Sequence, residues 1–228
     1  MPTVMNQAMM GVAKRIMMCR PTHYNVNYSI NAWMNVGNHV NKENALKQWN
    51  TLKEAIETCG ATVEVMESDD ARHYPDIVFC ANAGIVRGRE VYLSRFAYPE
   101  RYGEYIYYQK FFESIGYETS FSDKVIHEGA GDALWCGRHM NTLVSGVGPR
   151  SDIIACEDIK RRLGSSEDDK FKVVAARLVD PRFYHLDTCF CPLNEELSMA
   201  YLPAFDAVTQ NNIKNYTRIL EVVYLFES

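Results

Sequence analysis

Apolar and polar positions along the chain recur in a fixed order. "GIVRGREVYLSRF" (84–96) alternates about Gly88 and predicts two short strands joined by a turn. A helix is predicted from about Glu104 to Ile115, then Gly116 and the strand "YETSF". "ALWCGRHMNTLVSGV" predicts a second strand pair about Gly137, a helix from about Ser151 to Leu163 closed by Gly164, and the strand "KFKVVAARLV". "DTCFCPLNEELSMAYL" predicts a third pair, followed by a helix start at Asp206 and the strand "ILEVVYLF". The first third carries a helix over Lys42–Thr58, Gly60 as its C-cap, and the strand "ATVEVM". The helix-ending glycines Gly60, Gly116 and Gly164 lie 56 and 48 residues apart, a repeat with a period near 50. The repeated unit is ββαβ, with four helices in all. Such units cannot bury their faces alone and must stack in a line or a ring. A ring would gather loops from every unit around one pocket. No low-complexity linker divides the chain, so one domain is expected over 1–228, with "GSSEDDK" (164–170) as a surface loop.

Composition changes this picture little. The chain has 228 residues, 47 % of them hydrophobic and 23 % charged, which suffices for a sizeable core without staples. A net charge of −5 with no basic run argues against a nucleic-acid partner. No stretch approaches the roughly 18 apolar residues of a membrane span. The N-terminal "MPTVMNQAMMGVAKR" lacks the pattern of a secretory signal. Seven scattered cysteines without a CxxC pair read as reduced thiols, mostly small core residues. A cytoplasmic protein is expected, with a mitochondrial address as the alternative.

One run changes the picture more. In "RLVDPRFYHLDTCFCPL" (177–193), His185, Asp187, Cys189 and Cys191 occupy every second position, which on one strand would put all four on the same face. Four ligands spaced roughly 6.5–7 Å apart along a strand cannot surround one zinc ion, so no metal is expected. The same spacing keeps Cys189 out of hydrogen-bond reach of His185. Alone, His185 reads as an ordinary satisfied histidine; with Asp187 it looks like half of a site completed elsewhere. Three further stretches carry chemistry at strand ends: "VFCANAGIV" (Asn82), "VIHEGAGDAL" (His127, Glu128, Asp132) and "GVGPRSD" (Arg150). In "EGAGDA" the small residues would bring backbone close to a bound group, although a glycine turn with solvated acids fits equally well.

Taken together, "MMCRPTHYNVNYSINAWM", "ANAGIVRG", "LSRFAYPERYGE", "HEGAGDAL", "GVGPRSD" and "LVDPRFYHLDTCFCPL" resemble, in order and spacing, the guanidino-group-modifying superfamily. Its members include arginine deiminase, dimethylarginine dimethylaminohydrolase, arginine dihydrolase and the amidinotransferases. The likeness runs from about residue 14 to 206. It implies a pentein-like α/β propeller of five ββαβ units, which agrees with the repeat. It also implies attack of a cysteine thiolate on the guanidinium carbon of arginine or a methylated arginine, without a cofactor. By this resemblance His185 is the general acid/base, and Glu128 the carboxylate that orients it or the guanidinium. Asp187 is the second substrate carboxylate, and Asp132 joins the substrate-binding set. Arg101 and Arg150 hold the substrate's α-carboxylate, with Arg95 as a weaker candidate. A planar cation held by two carboxylates can be fixed against a nucleophile.

Two departures follow. Asn82 stands where deiminases and dimethylargininases usually carry aspartate; asparagine there resembles the dihydrolase branch, whose product would be ornithine rather than citrulline. The family nucleophile belongs to a last unit that would begin at "NYTRILEVVYLFES", and no cysteine matches it, Cys80 being only the nearest by sequence. About four of five units are expected. The chain would then be either a thiol hydrolase inactive as written or an arginine-type binding protein. Its open strand edge would leave it marginally stable or be covered by a partner, and a homo-oligomer is among the expected forms.

Overall fold

The computed structural model describes residues 14–164 and 170–223. The loop expected at 164–170 falls almost wholly outside these residues, as do the N-terminal residues 1–13, read above for a secretory signal, and the end of the last expected strand. The described residues form two compact units, 14–27 with 37–80, and Tyr28–Val36 with 81–223.

In the first unit, β1 (Arg15–Cys19) pairs in parallel with β2 (Thr62–Met66), and α1 (Lys42–Thr58) connects them. Asn41 starts that helix by accepting the backbone N–H of Asn44 on its side chain.

The second unit contains one motif three times. β3 (Gly84–Arg87) and β4 (Glu90–Leu93) pair antiparallel, α2 (Glu104–Ser114) crosses over, and β5 (Glu118–Ser120) pairs in parallel with β4. β6 (Ala133–Cys136), β7 (Thr142–Val147), α3 (Ala155–Leu163) and β8 (Lys172–Arg177) repeat this order, as do β9 (Phe190–Pro192), β10 (Leu197–Ala200), α4 (Ala207–Ile213) and β11 (Arg218–Glu221). Among the described residues the ββαβ reading thus holds for three motifs and the four expected α-helices are present, whereas the first unit has only one strand before its helix.

The helices fill the spaces beside the sheets. Ile159 and Leu163 of α3 pack with Ile85, Tyr92, Leu143 and Phe171; Ile213 of α4 belongs to a second cluster with Val144, Ala176, Leu186, Phe190 and Phe205. Full burial of a side chain such as Leu163 or Phe190 contributes about 2 kcal/mol. Single backbone bridges, Arg95 with His127 and Leu178 with Phe205, tie the end of one motif to the next.

Two expectations change. Residues 177–193 do not form one strand. β8 stops at Arg177, a 3-10 turn occupies Leu186–Thr188, and β9 begins only at Phe190. Local polar groups take the backbone out of the ladder: Asp180 accepts the N–H of Arg182, and the Thr188 hydroxyl donates to the carbonyl of His185. The four alternating side chains thus do not share a strand face; Cys189 is buried and Cys191 exposed. Likewise α3 begins at Ala155 rather than Ser151, because the Ser151 hydroxyl donates to Asp132 and the N–H of Asp152 donates to the carbonyl of Ile126.

Candidate active site

A 3-10 turn leads into the first strand of each motif in the second unit: Cys80–Ala83 before β3, Gly129–Gly131 before β6, and Leu186–Thr188 before β9. Asn82 lies in the first turn, Glu128 and Asp132 flank the second, and His185 and Asp187 mark the third. The repeat therefore delivers its reactive side chains at equivalent places, and the turns meet. Close approach forces glycine at two of these positions. A Cβ on Gly129, whose φ is +63°, would lie 2.7 Å from Ser94 Oγ and 2.9 Å from the carbonyl carbon of Asn82; one on Gly131 would collide with Asn82 Nδ2.

Glu128 is the centre. It is fully buried, and its Oε2 lies 2.7 Å from His185 Nε2 and 2.8 Å from Arg150 Nη1. Its Oε1 accepts the backbone N–H of Ala97 at 3.0 Å, its N–H donates to Ser151 Oγ at 3.1 Å, and its carbonyl accepts from Asn82 Nδ2 at 2.9 Å. Burial works against its charge, but the hydrogen bond and charge of His185, then Arg150 and Ala97, outweigh this and hold its pKa below the usual carboxylate range. A carboxylate on Nε2 orients the imidazole and leaves Nδ1 to exchange a proton.

Asp132 is buried too. Its Oδ2 accepts from Ser151 Oγ at 2.6 Å and its Oδ1 from the N–H of Leu186 at 2.9 Å. Burial raises its pKa, Glu128 adding to the effect, against the pull of His185, Ser151 and Leu186. Asp187 is exposed by total area, yet protein crowds its carboxyl enough that desolvation, with Asp132 adding and His185 opposing, pushes its pKa up to about 6.

The arginines are engaged. Arg101 grips Glu104 with two parallel hydrogen bonds (2.8 and 2.7 Å), reaches Asn82 Oδ1 at 3.1 Å, and lies over the Phe96 ring. Arg150 donates to Glu128 and to the carbonyl of Ile30, with Tyr98 and Tyr184 on its faces. Arg95 donates to the carbonyl of Asp123. Burial pushes the Cys136 and Cys189 thiols up to about 11 and 12, which removes both as thiolates near neutral pH. Cys80 lies in the first unit, where its thiol donates to the carbonyl of Met17.

The family model for eukaryotic N,N dimethylarginine dimethylhydrolase matches residues 14–221. This chain belongs to the dimethylarginine dimethylaminohydrolase family. Within the wider guanidino-modifying superfamily, the chain is 43 % identical over 202 residues to the bifunctional arginine dihydrolase/ornithine cyclodeaminase ArgZ of Synechocystis. It is 34 % identical over 200 residues to the dimethylarginine dimethylaminohydrolase of Mycobacterium tuberculosis. These matches cover 88 % of this chain; the chain spans 27 % of the length of ArgZ and 62 % of the mycobacterial protein. Two crystal structures of the ArgZ N-terminal domain superpose with TM-scores of 0.83 at 41 % and 40 % identity, covering 92 % of this chain and 75 % of theirs. One is a cysteine-to-serine variant bound to substrate; the other is an asparagine-to-serine variant covalently bonded to a reaction intermediate.

Of the residues the family resemblance pointed to, the structure brings Asn82, Glu128, Asp132, Arg150 and His185 into one bonded cluster, with Arg101 joined through Asn82. The reading of the sequence missed Ser151, Glu104, Tyr98 and Tyr184. Ser151 follows Arg150 directly in "GVGPRSD", and Tyr98 and Glu104 fall within "LSRFAYPERYGE"; Ser151 and Tyr98 act through contacts with segments distant in sequence, whereas Glu104 pairs with Arg101 in its own motif.

Proposed function

We infer that this chain provides the recognition and acid/base machinery for hydrolysis of a guanidino C–N bond in arginine or an N-methylated arginine. The observation that carries this is the buried His185–Glu128 pair, whose carboxylate backbone is held in turn by the Asn82 amide. In the proposed reaction a thiolate bonds to the guanidinium carbon. The imidazolium of His185 protonates the departing nitrogen as its C–N bond breaks, releasing ammonia or a methylated amine. The neutral imidazole then takes a proton from water as the water oxygen bonds to the same carbon. Cleavage of the C–S bond returns the thiolate and leaves citrulline. Asp187 and Asn82 are proposed to hold the guanidinium, Asp132 to complete the substrate pocket from behind, and Arg101 and Arg150 to hold the α-carboxylate. For that role Arg150 would exchange its bond to Glu128 for one to substrate. None of the seven cysteines is proposed as the nucleophile, and the pentein ring is proposed to need one more ββαβ unit than the described residues form.

Asn82 favours a second outcome. An amide both donates and accepts, so it can hold a neutral ureido group for a second attack, giving ornithine, carbon dioxide and two ammonia molecules from arginine and two waters. The greater identity to ArgZ, and the intermediate captured by its asparagine variant, support this branch.

The test is calorimetry with arginine and asymmetric dimethylarginine, followed by assay of citrulline, ornithine, ammonia and dimethylamine. Heat with arginine, reduced by Asp187→Asn, is the expected result. Absence of heat and of product with both ligands would overturn the reading. Ornithine against citrulline decides between the branches in any form of the protein that turns over.

A further inference from the structure

Ser151 and Asp132 connect the two halves of the acid/base pair by a route that avoids its side-chain contact. The N–H of Glu128 donates to Ser151 Oγ at 3.1 Å, and the Ser151 hydroxyl donates to Asp132 Oδ2 at 2.6 Å. The other Asp132 oxygen accepts the N–H of Leu186 at 2.9 Å. Leu186 follows His185, whose Nε2 meets Glu128 Oε2 at 2.7 Å. The path therefore closes: Glu128 carboxylate, His185 ring, the peptide to Leu186, Asp132, Ser151, and back to the Glu128 backbone.

Chemistry fixes the direction of each bond. The Ser151 hydroxyl gives its one proton to Asp132 Oδ2, which leaves a lone pair for the Glu128 N–H. Asp132 has little room to reorient, because a Cβ on the neighbouring Gly146 would lie 2.6 Å from its Oδ1. The side chains of Glu128, Asp132, Ser151 and His185 all belong to residues at most 5 % exposed, where a missing partner is not replaced by bulk water.

We propose that Ser151 and Asp132 are positioning residues: they fix the turn that carries His185 relative to the backbone of Glu128, and so hold the imidazole at hydrogen-bonding distance from its carboxylate. This rests on His185 and Glu128 being the acid/base pair, and it deepens that reading. Asp132, placed by the resemblance among substrate-binding residues, acts here through the N–H next to His185, with one oxygen on that N–H and the other on the Ser151 hydroxyl.

The experiment is nitrogen-15 and proton NMR of the histidine-labelled chain, following the imidazole N–H that His185 directs at Glu128 and assigning it by its loss in His185→Gln. Ser151→Ala is expected to move this resonance upfield and to speed its exchange with water about tenfold, the scale of one lost hydrogen bond. Ser151→Thr, which keeps the hydroxyl, is expected to restore it. Ser151→Cys keeps the branching and fills the site with a weaker donor and is expected to show the Ala effect, so the test survives if Ser151→Ala does not fold. Thermal unfolding on the same samples separates positioning from general stability: the His185 signal must change while the protein remains folded. An unchanged His185 resonance in folded Ser151→Ala or Ser151→Cys, or a Ser151→Thr spectrum as altered as that of Ser151→Ala, would overturn the proposal. The readout needs no turnover, so failure of the positioning proposal is distinguishable from absence of arginine heat, which would overturn the functional reading instead.

Discussion

Glu128 and Arg150 form an ion pair at 2.8 Å with side-chain exposures of 0 % and 2 %. The guanidinium lies against Tyr98 and Tyr184, and the same carboxylate oxygen contacts His185. One oxygen therefore serves two partners, the guanidinium and the imidazole. A pair this deep derives its worth from completeness, since either charge left alone is costly.

Glu128→Gln is accordingly expected to destabilise the chain by about 3 kcal/mol or more, because Arg150 keeps its charge while losing its counter-ion. Urea unfolding of the two proteins measures the difference. A change under about 1 kcal/mol would mean that Arg150 finds water or another acceptor.

Arg101→Lys tests the planar fork. Arginine spans both oxygens of Glu104 and still reaches Asn82, whereas an ammonium is a single point of charge and cannot make all three contacts in this geometry. The expected result is a loss of about 2 kcal/mol in urea unfolding, together with weaker arginine binding by calorimetry as Asn82 loses its anchor. Retained stability and retained heat would both count against a bracing role.

His127 should govern much of the acid sensitivity. Burial lowers its pKa to about 4 from the ordinary 6.5, and its ring lies tilted at 37° against that of Tyr92, the centroids 4.1 Å apart, while Nδ1 accepts the N–H of Gly129. Because the folded value is depressed, the unfolded chain binds the proton first as pH falls. The stability is intact above about 6.5 and is lost progressively toward pH 4, by up to about 3 kcal/mol. His127→Asn can still accept from Gly129 but does not titrate. Its unfolding free energy should be flatter across this window than that of the parent chain.

Asp187 has the opposite sign. Its folded pKa of about 6 lies above the ordinary carboxyl value, so the folded chain holds the extra proton. The associated stability is fully present below about pH 4 and is lost as pH rises through 6. Asp187→Asn should be more stable than the parent at pH 7.5, with the difference vanishing near pH 4, and should bind arginine more weakly. Equal stability of both proteins at every pH would remove the case for a crowded carboxylate at this position.

The local order of the fold was legible because each element depends on neighbours in sequence. Alternation about Gly88 and Gly137 gave β3–β4 and β6–β7, and the helix over 104–115 ended within one residue of the observed α2. The reading failed where a side chain bonds to something remote. Ser151 looked like a helix start but is held by Asp132 and Glu128. The period-two pattern at 185–191 suggested a strand, but a 3-10 turn stands there, with the Thr188 hydroxyl and the N–H of Leu186 taken by other partners. Recognition of Glu128, His185 and Asn82 came from motif likeness, since as isolated residue types they carried no spatial information.

By itself, then, the sequence determined the repeating strand–strand–helix–strand order and the family, and nominated the candidate site residues by resemblance, because periodicity and motif spacing are properties of the linear chain. Only the tertiary structure decided that Glu128, His185, Asp132 and Ser151 share one buried circuit, with Arg150 bonded to its Glu128. Such a circuit depends on turns from successive motifs meeting within about 3 Å, a distance set by the packing of whole sheets and helices and written in no single segment.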